Sequence, residues 1–243
     1  MAHGFGAERA FQLPADADRF VDRGVAALLF DYRGFGDSEG PHQRVDPFRH
    51  RADRLAAVDG DRIGLGGTSF GGGHVVEAAA RRDVDAVRSQ APFVDGIATL
   101  THLARDSGLD CPLTATNTAC GTPSGGCSGW TPTPSRSSGR RQRSRCSTRL
   151  APRPNTGTAP AESDWETARP ARVALRVPLY RPISRAGEVD APPFLTVARG
   201  DRIVPPSAAE RLARRLDHVD VYHGAPFERA VAEQAAFLAR HLR

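Results

Sequence analysis

Gly67-Thr68-Ser69-Phe70-Gly71 is the stretch whose reading decides the fold of this chain. It has the form Gly-x-Ser-x-Gly. The short apolar run Arg62-Ile63-Gly64-Leu65-Gly66 precedes it, and a helix-like run over residues 72–82 follows. A strand that passes through one serine directly into a helix has to turn sharply, and the turn drives that serine into a strained backbone conformation. Glycines on both sides remove the side chains that would collide with the strand and the helix. The hydroxyl then stands clear at the end of the strand, beside the unpaired N–H groups of the first helical turn.

A serine in that setting resembles the nucleophile elbow of the α/β-hydrolases. An ordinary glycine-rich strand–helix turn is the alternative, so the weight falls on the partners elsewhere in the chain. Met1-Ala2-His3-Gly4-Phe5-Gly6 is similar to the His-Gly loop of the same family. The resemblance implies an oxyanion hole made by the N–H groups of Phe5 and Phe70. A flexible Gly-rich terminus is the competing reading of residues 1–6.

The run Phe194-Leu195-Thr196-Val197-Ala198-Arg199-Gly200-Asp201 ends an apolar strand in Gly-Asp, where the family places its triad acid. Asp201 would hold a histidine in the correct tautomer and stabilise the imidazolium. Aspartate after glycine is equally a common turn residue. The family order Ser, Asp, His leaves His218, His223 and His241 as bases. His241 lies near the end of a helix-like run over 227–242, where a charge near a helix C-terminus accounts for it. His218-Val219-Asp220-Val221-Tyr222 resembles the run that carries the catalytic histidine in one branch, which favours His218. His223 directly follows residues 219–222, which could themselves be the last strand.

Phe30-Asp31-Tyr32-Arg33-Gly34-Phe35-Gly36-Asp37-Ser38 is similar to the family's Asp-Tyr-Arg-Gly-x-Gly-x-Ser loop. With Asp46-Pro47, the run at 89–96 and the stretch 165–182, the resemblance covers roughly residues 1–105 and 165–243. It points to the serine esterase-like branch near dienelactone-hydrolase-like and X-Pro-dipeptidyl-peptidase-like proteins. Dienelactone hydrolases proper use cysteine at the elbow, whereas this chain has Ser69. The implied fold is α/β, a mostly parallel sheet covered on both faces, with the catalytic loops at the carboxyl edge. The implied activity is hydrolysis of a carboxylic ester or related acyl bond, with no metal or organic cofactor. A small acyl compound is the expected partner, rather than nucleic acid or membrane.

Helices are expected at 15–22, 48–57, 72–82 and 168–177, and in the last two helical runs at 207–216 and 227–242. Strands are expected at 25–30, 62–65, 84–89 and 194–198. Two features depart from the family. The His-Gly loop begins at residue 2, so the first strands, including the one that should position Phe5, are expected to be missing, as from an N-terminal truncation. The interval from Asp201 to His218 is only 17 positions, which leaves no room for a strand before His218. These departures support a second reading, a catalytically impaired remnant of such an enzyme.

A chain of 243 residues is long enough for one substantial core. It holds 33 basic residues, every one arginine, against 28 acids. Seven of those arginines (136, 140, 141, 143, 145, 149, 153) and the single acid Asp110 fall in residues 107–160, which therefore carry the net positive charge. The same stretch contains all four cysteines, Cys111, Cys120, Cys127 and Cys146, at spacings that match no zinc pattern. Ser, Thr, Gly, Pro and Arg dominate it, and it lacks Val, Ile, Phe, Tyr and Met. Such a composition cannot offset the entropy of ordering. The domain is thus expected to consist of residues 1–106 and 164–243, separated by a disordered segment at 107–163. Its composition favours translation out of frame; a disordered insertion, a cysteine-linked cap and a nucleic-acid arm at 140–145 are the rivals. No apolar run is long enough to span a bilayer, and the N-terminus has no signal-peptide pattern, so a cytoplasmic location is expected.

Overall fold

Strands β1 (Gly64–Thr68), β2 (Ala86–Gln90), β3 (Pro193–Val197) and β4 (Asp220–His223) form one sheet in the computed structural model of the chain. The structure describes residues 1–11, 13–42, 44–56, 62–107, 173–216, 220–223 and 227–242. The sheet is parallel throughout, in the order β1-β2-β3-β4, with Leu65 opposite Val87, Ser89 opposite Leu195 and Val197 opposite His223.

Side chains alternate along each strand. Leu65, Val87 and Leu195 point to one face, where they join Val75 and Val76 of α3 (Phe70–Ala79) and Ala208 and Leu212 of α6 (Pro206–Ala213). Ala86 and Phe194 point to the other face. There they meet Phe20 of α1 (Leu13–Val21) and Val231, Ala235 and Leu238 of α7 (Phe227–Leu242). Both faces are covered, as a parallel sheet requires. The remaining helices are α2 (Pro47–Ala56), α4 (Gly96–Ser107) and the short α5 (Val173–Arg176), with 3-10 turns at Val177–Leu179 and Pro182–Glu188.

An ion pair is buried in this core. Arg88 of β2 is wholly enclosed on the α1/α7 face. It donates to Asp16 Oδ2 of α1 at 2.8 Å and to Gln234 Oε1 of α7 at 2.8 Å, and its guanidinium lies 5.6 Å from the Phe20 ring centre. Burial alone pulls the Arg88 guanidinium below its usual range, and Asp16 opposes that pull.

Several expectations shift. β1 reaches Thr68 rather than stopping at Leu65, because its ladder with β2 continues through Gly66 and Gly67 up to the turn. The expected strand at 25–30 joins the sheet only at Phe30, through a single parallel bridge to Ala2. Ala2 bridges Gly67 on its other side and donates to Gly66 O at 3.2 Å, while Phe30 N–H donates to Met1 O at 3.3 Å. Residues 1 and 2 thus occupy the place expected to be empty, and they anchor the loop that follows. α4 had no counterpart in the expected elements. Its signal is Asp95, whose Oδ1 accepts from Ile97 and Ala98 N–H at 3.1 Å each as an N-cap. The helix expected at 168–177 is described only as α5, and Pro178, which has no N–H, stands just beyond it. A strand does lie between α6 and α7, but it follows residue 218 instead of preceding it. The 107–163 segment lies outside the described residues, apart from Ser107, the last residue of α4. No helix among the described residues is long and apolar enough to cross a membrane.

Candidate active site

Ser69 sits between β1 and α3 with φ 55° and ψ −115°, the strained conformation expected of it. Three hydrogen bonds fix that geometry. Ser69 N–H donates to Gln90 O at 2.8 Å, and Ser69 O accepts from Phe93 N–H at 2.9 Å and Gly73 N–H at 3.2 Å. The flanking glycines are required sterically. A Cβ on Gly67 would stand 2.3 Å from Gly71 O, and one on Gly71 would stand 2.5 Å from His3 O and 2.8 Å from Ala2 O. The side chain of Ser69 is half-buried. Phe70 opens α3, so its N–H has no acceptor within the helix.

The His-Gly loop lies directly against the serine. A Cβ built on Gly4 would be 3.3 Å from Ser69 Cβ and 3.9 Å from Ser69 Oγ. The buried His3 explains how the loop keeps its shape. Tyr32 N–H donates to His3 Nε2 at 3.3 Å, so the ring proton is on Nδ1, which donates to Gly4 O at 3.0 Å. Asp31 lies beneath, 3.6 Å from His3 Nε2. Burial raises the Asp31 carboxyl above its usual range, opposed by Arg9 N–H, which donates to Oδ1 at 2.6 Å. The rings of Phe5 and Phe70 meet edge to face, 5.3 Å apart.

Asp201 is on the loop after β3. Its Oδ1 accepts from Ile203 N–H at 2.8 Å and Val204 N–H at 2.9 Å, which ties the carboxylate to its own turn and leaves Oδ2 outside it. His102 of α4 donates through Nε2 to Asp201 O at 3.3 Å. The carboxyl ends of β1, β3 and β4 lie along one edge of the sheet, so the elbow, the Asp201 loop and the backbone of His223 all leave from that edge. His218 lies outside the described residues, two positions before β4. His241 is in the last turn of α7, against Phe237 at 4.7 Å, away from this edge.

A second acid at the same edge escaped the sequence reading. Asp95 follows β2, but both its oxygens are engaged: Oδ1 caps α4, and Oδ2 is 3.2 Å from Arg181 and 3.6 Å from Arg211. Burial pushes its carboxyl up, yet the Ala98 N–H and the two guanidiniums outweigh that and hold it below the usual range. Asp95 is therefore spent on structure. The aromatic floor was missed as well. Phe70 packs against His74 at 4.8 Å, Phe93 at 5.1 Å and Tyr180 at 5.2 Å. His74 was legible in principle, one helical turn from Phe70 on the same face. Nothing local announced Tyr180, which arrives from across the sequence.

Among the described residues no group of three His, Cys, Asp or Glu side chains could hold a metal ion. An open depression of about 620 Å³ lies beside α2, where Arg33, Glu39 and Asp53 line it; none of Ser69, Phe70 and Asp201 does.

Known proteins share this fold. Residues 1–237 match the family described as "Alpha/beta hydrolase family". The chain is 33% identical over 266 residues to the quorum-quenching protein AidA of Acinetobacter baumannii, covering 99% of this chain and 85% of that relative. Among solved structures, the alpha/beta hydrolase GrgF from Penicillium sp. sh18 superposes with a TM-score of 0.69 at 19% identity, covering 100% of this chain and 89% of GrgF. The Paleococcus ferrophilus monoacylglycerol lipase superposes with a TM-score of 0.68 at 18% identity, covering 99% of this chain and 93% of the lipase. With the elbow and the His-Gly loop side by side at the carboxyl edge of a parallel sheet, the chain belongs to the alpha/beta hydrolase family.

Proposed function

We propose that the protein is a serine hydrolase acting on a carboxylic ester or related acyl bond. The observation that carries the reading is Ser69 at φ 55° with Gly4 of the His-Gly loop beside its hydroxyl. Ser69 Oγ attacks the acyl carbon while a histidine takes its proton. The tetrahedral oxyanion is held by the N–H groups of Phe5 and Phe70. Its collapse expels the leaving group, which receives the proton from the histidine. Water then hydrolyses the acyl-enzyme by the same route in reverse. Asp201 Oδ2, the oxygen outside its own turn, orients the histidine.

The base is His218 or His223. The pairing of His223 with Val197, at the end of β4 and on the same edge as the elbow, supports His223. The local sequence around His218 supports the other. His223→Ala abolishing turnover while His218→Ala spares it would assign His223; the reverse result assigns His218.

The deciding experiment is turnover of a short-chain chromogenic ester together with labelling by a fluorophosphonate probe. Ser69→Ala should abolish both. Labelling that survives Ser69→Ala removes Ser69 from the mechanism. A wild-type chain that melts cooperatively yet shows no Ser69-dependent turnover is the impaired remnant. The name of the relative AidA adds quorum-sensing signals to the substrates to be tried.

A further inference from the structure

The two residues assigned as oxyanion donors touch through their side chains, since the Phe5 and Phe70 rings are 5.3 Å apart, edge to face. Phe70 is enclosed on its other sides by His74, Phe93 and Tyr180. Tyr180 is only 1% exposed, and its hydroxyl is hydrogen-bonded to His74 Nδ1 at 2.5 Å. His74 belongs to α3, the helix that Phe70 opens. The Tyr180 backbone is fixed separately: Gly96 N–H donates to Tyr180 O at 3.1 Å, and Tyr180 N–H donates to Val177 O at 3.1 Å; three residues on, Ile183 N–H donates to Val94 O at 3.0 Å. With its backbone tied to the first residue of α4 and to its own 3-10 turn, Tyr180 has a defined ring position, which the hydroxyl locks to α3.

That lock bears on a strained peptide. Ser69 holds φ 55° only while its surroundings prevent relaxation. The direction of the Phe70 N–H follows from the peptide plane between Ser69 and Phe70, so any slack around the Phe70 ring lets the donor swing. We propose that Tyr180 is a positioning residue for the oxyanion hole. Its ring, locked by His74, holds Phe70 in place and, through the Phe5–Phe70 contact, fixes the separation of the two N–H donors. This inference rests on the acyl-transfer reading above and adds to it a residue that never touches substrate.

Tyr180→Phe keeps the ring and removes only the lock. Loss of a whole oxyanion donor costs about 10²–10³ in kcat, so a loosened donor should cost about tenfold. The expected signature is kcat about tenfold lower on the chromogenic ester with KM unchanged. Binding of a trifluoromethyl ketone, which mimics the tetrahedral intermediate, should weaken by the same factor. Combining Tyr180→Phe with His74→Gln should cost no more than the worse single change, because both break one bond. Phe5→Leu keeps its backbone N–H and removes the ring contact; it should show the same split between kcat and KM, and it serves if Tyr180→Phe fails to fold. Unchanged kcat, a change confined to KM, or additive losses in the double variant overturn the assignment of Tyr180. Wild-type turnover that survives Ser69→Ala overturns the acyl-transfer reading and this inference together, so the two failures are distinguishable.

Discussion

Replacing Gly71 with alanine sets a methyl group against the backbone of the His-Gly loop. The added Cβ would stand 2.5 Å from His3 O and 2.8 Å from Ala2 O, where ordinary contact begins at 3.4 Å, so the loop has to retreat by about 0.9 Å. Those two carbonyls precede Gly4 and Phe5, so the retreat moves the Phe5 N–H away from the oxyanion position proposed for it by a similar distance. A misplacement of about 1 Å in a reacting constellation can cost about 10²-fold. Gly71→Ala should therefore lower kcat/KM by about 100-fold. The same overpacking should cost about 1–3 kcal/mol of stability, or about 2–4 °C in Tm for each kcal/mol in a chain of this size. Ester turnover and the rate of fluorophosphonate labelling, followed beside a thermal melt, measure both effects. Gly187→Ala is the control, since nothing lies within 4 Å of its added Cβ. A Gly71→Ala protein with wild-type kcat/KM would refute the reasoning, as would an equal loss in the control.

Other outcomes follow from named side chains. Ala91 holds φ 43° at the end of β2. An L-residue there bears about 1–2 kcal/mol that glycine escapes, partly offset by glycine's greater chain entropy, so Ala91→Gly should raise Tm by a few degrees; a lower Tm would contradict it. Arg88→Met strands the buried carboxylate of Asp16 and should cost about 3–5 kcal/mol in urea unfolding, with much of the loss recovered by adding Asp16→Asn; a loss below about 1 kcal/mol in the single variant speaks against a buried pair. Burial, opposed by Asp53 and Asp46, lowers His50 from 6.5 to about 4. The unfolded chain therefore takes up this proton first. The stability tied to a neutral His50 is fully present above about pH 6.5 and falls by about 3 kcal/mol as pH drops towards 4. Melts across that window should be flatter for His50→Phe, and an unchanged slope would remove His50 as the cause.

How much of this was legible in the sequence depends on how local each signal is. The elbow was legible because its strain and its glycines are confined to five residues. α7 runs over residues 227–242 as its apolar spacing requires. The His-Gly loop was legible as a motif, but its support was not. Ala2 finds its bridges at Phe30 and Gly67, both far along the chain, and no pattern in residues 1–6 encodes them. The base was obscured for a related reason. Residues 218–223 offer two histidines around one short strand, and pairing with β3, a tertiary event, decides which residue ends that strand. α4 escaped because its Asp95 cap reads equally well as a turn residue. Tyr180 escaped because an aromatic residue gains its role only from the ring it meets.

The sheet is assembled from two widely separated stretches of chain. β1 and β2 come from before residue 108 and β3 and β4 from after residue 172, joined along the four residue pairs between β2 and β3. The cluster on the α3 face mixes Leu65, Val75 and Val87 with Ile183, Leu195 and Leu212, so neither stretch completes a core alone. In folding terms, the central seam is the most non-local of the sheet's strand pairings, a slow kind of contact to form, although the entropy of closing so long a loop grows only logarithmically with its length. In engineering terms, the seam makes the protein a natural split reporter. Two fragments divided between residues 108 and 172 would each be incomplete, and the ester turnover proposed above would return only when the halves of the sheet find one another.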